Sequence, residues 1–149
     1  MLSGRQLHGL VVKSANGTEI GRVADLVVDQ CNGRLFGFMI HDTGLIQKIR
    51  YLPLESIKDI SLQGVIVCRK KMFHSLPVNL VRLSAVGWRG SLLMDQSGQD
   101  KGSISDVLLE GKELAGFEIS DGVVGDFFKR RNFLPFAQSE IVNGVIQEK

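Results

Sequence analysis

Three histidines, His8, His41 and His74, are the side chains of this 149-residue chain that could move a proton or hold a metal near neutral pH. None stands with a cysteine or carboxylate at ligand spacing, and a metal site needs several such donors converging, so each reads as a surface or turn histidine. Cys31 and Cys68 lie far apart without a CxxC pair, and two reduced structural thiols are expected rather than a disulfide or a metal centre. Asp25 and Asp106 recur in matching contexts and could pass for a pair of catalytic acids. A residue repeated together with its neighbouring glycine and valine serves the fold more readily, and capping a turn is the expected role. No serine sits in a nucleophile elbow, and the glycines form neither a Walker loop nor a GxGxxG turn. The expectation is a protein without catalytic residues, metal or cofactor, and not an enzyme.

Binding chemistry is better represented than catalysis. The stretch "GDFFKRRNFLPF" interleaves Lys129, Arg130 and Arg131 with Phe127, Phe128 and Phe133, and "GLIQKIRYLP", its earlier equivalent, keeps Lys48, Arg50 and Tyr51. Such cations can make charge-assisted hydrogen bonds to phosphate or carboxylate, while the aromatic rings bury apolar area or stack on bases. The same rings can equally form the edge of a core, with the cations solvated. A third cluster, Arg69, Lys70 and Lys71, opens "CRKKMFHSLPVNLVRL" and reads either as a solvated linker or as a clamp on an anionic surface. Three contacts of this kind are too few for tight nucleic-acid binding at physiological salt.

Net charge is +2 with 23% charged residues, which excludes both a disordered charged tail and a uniformly basic nucleic-acid binder. The charge is unevenly spread. Residues 1–68 hold seven basic and six acidic side chains, 69–82 four basic and none acidic, and 83–149 seven basic and ten acidic. Arg5 and His8 interrupt any signal-peptide core, and the most apolar window, "LPVNLVRLSAVGW", is broken by Asn79 and Arg82. A cytoplasmic protein starting at Met1, with no membrane span, is expected.

The elements that must position these clusters come in two copies. An offset of 81 residues pairs Leu2-Ser3 with Leu83-Ser84, Gly9 with Gly90, Asn16-Gly17 with Ser97-Gly98, Gly21 with Gly102, Val23 with Ile104 and Asp25 with Asp106. The offset then slips, pairing Gly37-Phe38 with Gly116-Phe117 and Asp42 with Asp121, and slips again to set "YLPL" at Tyr51 against "FLPF" at Phe133. A last slip sets "GVIV" at Gly64 against "GVIQ" at Gly144. Domains at 1–68 and 83–149, joined by a basic linker at 69–82, follow from this pattern.

Each unit reads as all-β. Turn dipeptides Asn16-Gly17 and Asn32-Gly33 separate runs rich in β-branched and aromatic residues. Val23, Leu26, Val28, Leu35, Phe36, Phe38 and Ile40 are the expected sheet interior, and Gly21 and Gly37 mark bulges or close backbone approaches. Leu52-Pro53 begins a short strand or turn, and "ESIKDI" reads as a helical turn before a closing strand at Val65–Val67. Five or six short strands in about 65 residues are most economically closed into a small barrel.

The order of glycines and apolar positions in "NGTEIGRVADLVVD", "GRLFGFMI", "YLPL" and "GVIV", met again in the second half, resembles the PRC-barrel. That fold is shared by the photosynthetic reaction-centre H subunit and the ribosome-maturation factors of the RimM type. The transmembrane helix of the one and the N-terminal domain of the other have no counterpart, so the chain is most similar to stand-alone tandem PRC-barrel proteins of bacteria. The resemblance implies two tandem small β-barrels with short helical turns, used as a platform for binding or assembly. It carries no catalytic residue.

A non-enzymatic protein-binding adaptor is therefore the leading expectation. An RNA- or ribosome-associated module using Lys129, Arg130 and Arg131 is the alternative, and an enzyme would need a deep pocket lined by converging polar groups. A homodimer could bring copies side by side. The duplication itself has a physical rationale, because a unit of about 65 residues buries a marginal core and a second copy covers its apolar flank.

Overall fold

The computed structural model describes residues 1–29, 34–46, 48–68, 80–83, 91–120, 131–142 and 145–149, with the backbone alone for 80–83, 91, 131, 132 and 141. The chain opens with β1 (Leu2–Ser3) and a one-turn helix α1 (Gly4–Leu7). Ser3 and Gln6 form a capping box: the Ser3 hydroxyl accepts from the Gln6 N–H at 3.2 Å, and the Gln6 side chain accepts from the Ser3 N–H at 2.9 Å. Next come β2 (Val11–Ser14), β3 (Glu19–Asp29), β4 (Leu35–Asp42), β5 (Ile49–Pro53), a 3-10 turn at Leu54–Ser56, β6 (Ile57–Ser61) and β7 (Gly64–Val67). Short apolar runs broken by tight turns favour a sheet over helices, and the fold is all-β as expected.

After β8 (Leu80–Leu83), the second unit repeats the scheme with β9 (Ser91–Asp95), β10 (Asp100–Glu110), β11 (Glu113–Ser120), β12 (Arg131–Pro135), a 3-10 turn at Phe136–Gln138, β13 (Ser139–Val142) and β14 (Val145–Glu148). The first sheet runs β5-β4-β3-β2-β7-β6 and the second β12-β11-β10-β9-β14-β13, the same order element for element. Each contains one parallel pair, β2 with β7 and β9 with β14, in otherwise antiparallel ladders. Pro53 and Pro135 end the strand at one edge of each sheet, where a missing N–H costs no ladder bond. Two sheets of matching order agree with two tandem barrels.

Two strands cross between the units. β1 pairs with β10 (Leu2 opposite Leu109), and β8 pairs with β3 (Leu26 opposite Leu83), so each sheet's seventh strand comes from the other half of the chain. The apolar side chains follow the same logic. Leu7, Val12, Val23, Leu26, Phe38, Leu52 and Val65 from the first unit join Leu93, Ile104, Val107, Phe117 and Ile146 from the second in one contiguous core. The segment expected to be a linker lies outside the described residues at 69–79, while Leu80–Arg82 runs as part of β8.

Gly37 and Gly116 show why the repeat keeps glycine inside a strand. Their φ angles are +153° and +159°, and a Cβ on either would lie 2.0 Å from the Leu52 carbonyl oxygen or 2.2 Å from that of Leu134. The neighbouring edge strand can approach so closely only because no side chain intervenes.

Several expectations need correction. "ESIKDI" is helical only in its first residues; Ile57–Ser61 is strand β6, paired antiparallel to β7. Asp25 and Asp106 sit within β3 and β10, each just after a break in register that leaves Ala24 or Ser105 unopposed. Phe36 is exposed, since it alternates with the buried Leu35 and Phe38 around the Gly37 irregularity. Cys68 is a free, exposed thiol with its Sγ 3.4 Å from the Ser56 carbonyl oxygen, and Cys31 lies outside the described residues. "GVIV" and "GVIQ" are not structural equivalents either. Lys13 faces Ile66 and Met94 faces Gln147, which restores the offset of 81 and matches Val65 to Ile146 instead of Val145. Accordingly Val65 and Ile146 are buried while Val145 is 53% exposed.

Candidate functional site

Of the basic and aromatic residues singled out in the sequence, the structure describes the side chains of Lys48, Arg50, the buried Tyr51 and the exposed Phe133. Phe127, Phe128, Lys129 and Arg130 lie outside the described residues, as do Arg69, Lys70 and Lys71, and Arg131 is seen only as backbone opposite Ser120. The clusters are therefore not brought together on one described surface. Arg50 is engaged: its Nε donates to Asp42 Oδ2 at 3.0 Å, and both side chains are largely covered. Lys48 is exposed and forms no ion pair among the described residues.

Asp42 organises the loop that follows β4. One carboxylate oxygen accepts the N–H groups of Gly44 and Lys48, both at 3.2 Å, while the Asp42 N–H donates to the Lys48 carbonyl at 3.1 Å. The Lys48 N–H, with that of Gly44 and the Arg50 guanidinium, holds the carboxyl below its ordinary range, outweighing the opposing effect of desolvation. The loop so closed carries Leu45 and Ile46 into solvent.

Asp106 links the two units. It is buried, its Oδ1 accepts the Val107 N–H at 2.8 Å, and its Oδ2 lies 3.6 Å from Arg5 Nε and 3.5 Å from the Arg5 N–H at the start of α1. Lys112 makes a second link, its ammonium donating at 2.7 Å to the Ile57 carbonyl on β6.

Clefts among the described residues of the first unit include the following two. One, of about 450 Å³, is lined by Arg34, Phe36, Tyr51, Pro53 and Glu55. Tyr51 donates its hydroxyl to the Phe36 carbonyl at 3.0 Å, and burial together with Glu55 raises its phenol above the ordinary 10.0. The other, about 260 Å³, is lined by Glu19, Arg22, His41 and Asp42. His41 belongs to strand β4 rather than to a turn, and its Nδ1 is buried without a hydrogen-bond partner. His8 closes α1 as its C-cap, and His74 lies outside the described residues.

An apolar row on the second unit was not anticipated. Leu92, Val145 and Val142 are exposed on adjacent strands β9, β14 and β13, with Met94 beside them. Gln147 and Glu140 continue the ladder beyond the row, and Gln96 reaches the Glu140 carboxylate at 3.4 Å. The corresponding positions of the first unit are Val11, Gly64, Ser61 and Lys13. Sequence alone hid this row because the "GVIQ" match sets Val145 against Val65, which is buried.

No helix among the described residues is long and apolar enough to cross a membrane, and none of their His, Cys, Asp and Glu side chains form a group of three or more suited to a metal ion. No curated protein matches the chain. Residues 1–68, which hold all but one strand of the first of the two like-ordered sheets, match the family model of the PRC-barrel domain.

Proposed function

We propose that the protein is a non-enzymatic adaptor, built on two PRC-type barrels in tandem, that docks a protein partner on its second unit. PRC-barrel domains serve generally as interaction and assembly folds, and residues 1–68 carry that domain. The observation that carries the reading is the row Leu92, Val145 and Val142 with Met94, exposed across three strands and bordered by Gln147 and Glu140. Apolar surface gathered in a row with a polar border is what a protein interface needs at its centre. The first unit serves as an internal comparison, because the same topology there places Lys13, Ser61 and Gly64 at three of the four positions. Duplicated units that differ on one solvent face differ in what that face meets.

The test is an affinity purification from the native lysate with the wild type and a Leu92→Asp/Val145→Asp variant, at low and high salt and with nuclease. A defined protein set that survives salt and nuclease and is absent from the variant supports the adaptor reading. Partners lost to nuclease or salt, and lost again when Lys129, Arg130 and Arg131 become glutamate, would move the assignment to an RNA-associated module.

A further inference from the structure

Leu45 and Ile46 stand side by side at the tip of the loop after β4, the first fully exposed and the second 76% exposed. A single aliphatic residue on a surface needs no explanation, but two exposed neighbours do. The tip is not slack. The Asp42 carboxylate grips it through the Gly44 and Lys48 N–H groups, and the Asp42 N–H closes it on the Lys48 carbonyl. Asp42 is in turn neutralised by Arg50 at 3.0 Å, which leaves the exposed Lys48 as the unmatched charge beside the two aliphatics among the described residues. Ile49 adds a partly exposed apolar side chain at the base.

The chemistry of this tip selects its recipient. Leu45 and Ile46 are left almost uncovered by the described residues, and the polar side chains described around them are Thr43 before and the cationic Lys48 after. Specific protein interfaces carry about one hydrogen bond per 100–200 Å². A bilayer interface asks for less: aliphatic groups to enter the boundary of headgroups and chains, and a cation to meet phosphate. We propose that Leu45 and Ile46 insert into the surface of an anionic lipid bilayer, with Lys48 against the headgroup phosphates. Two side chains and one cation give weak, reversible attachment, which brings the molecule to a membrane without anchoring it. This surface is separate from the apolar row of the second unit, and the inference does not rest on the adaptor reading.

The experiment is co-sedimentation of the purified full chain with vesicles of phosphatidylcholine containing phosphatidylglycerol, and with phosphatidylcholine alone. The wild type sediments with the anionic vesicles, and Leu45→Asp/Ile46→Asp weakens partitioning about tenfold or more. Replacing the pair by phenylalanine preserves binding, and Lys48→Glu weakens it on the anionic vesicles only. The melting temperature of each variant stays at the wild-type value because the tip contributes nothing to the core, so loss of binding is not loss of folding. Failure of the wild type to sediment, or equal binding by the double aspartate variant, overturns the proposal. So does the loss of a protein partner by that variant when the wild type ignores vesicles.

Discussion

Gly37 and Gly17 both have positive φ, yet only one is tied to its neighbours. A Cβ on Gly37 would strike the Leu52 carbonyl at 2.0 Å, whereas one on Gly17 would meet nothing within 4 Å. Gly17→Ala should therefore cost about 1 kcal/mol of backbone strain, and Gly37→Ala about 3 kcal/mol or more, read as denaturant midpoints. Equal effects would mean that conformation, and not the close approach of β5, fixes the glycine. The recurrence of these glycines was legible in the sequence; their different reasons were not, because a carbonyl 15 residues away leaves no local mark. Asp42 makes a second residue-scale test. Its native pKa lies below the ordinary 3.8, so its hold on the loop is complete above that value and is lost as pH falls through the lower native one. The amide resonances of Gly44 and Lys48 should titrate with a midpoint under 3.8, and Asp42→Asn should abolish the transition. A midpoint at or above 3.8 would show that the carboxylate does not organise the tip.

At the level of elements, β14 shows how a repeat can mislead by one residue. The letters "GVI" align Val145 with Val65, but the ladder aligns Ile146 with Val65, and in a strand one position is the difference between core and solvent. Lys58 explains part of the slip: it is unopposed between Ile57 and Asp59 in the first unit, while β13 and β14 pair without interruption from Ser139 to Val142. The consequence is a paired prediction. Val145→Asp should change stability by no more than about 0.5 kcal/mol, whereas Ile146→Asp, which buries an unpaired carboxylate, should cost about 4 kcal/mol or prevent folding. The reverse order would restore the alignment drawn from sequence. Strand composition and the Asn16-Gly17 turn were readable, because period-2 patterns and Asn-Gly turns are local, whereas the strand within "ESIKDI" was not. Register and bulges depend on the partner strand and were not.

The largest feature of the molecule is one that no local pattern announces: β1 and β8 are exchanged between the two sheets, and the apolar cores merge into one cluster. The repeat made a duplicated unit plain, since Leu2-Ser3 and Leu83-Ser84 match, but a two-residue strand does not say which sheet it joins. Asp106 adds a polar tie to the same junction, buried against Arg5 of the opposite unit. Asp106→Ala removes that tie and the Val107 N–H contact, at about 2 kcal/mol, or about 4–8 °C in melting temperature. The exchange further requires that the whole chain unfold in a single cooperative transition. A piece covering residues 1–69 lacks the strand that covers Leu26 and Val28, and a piece covering 81–149 lacks the partner of Leu108 and Leu109. Each piece alone should show no cooperative melt, and equimolar mixing should recover one transition near that of the intact protein. Two independent transitions that sum to the intact enthalpy would mean that the barrels stand alone and the crossing strands are ornament. A single transition recovered only on mixing would mean that the duplication was retained because neither half closes its own core.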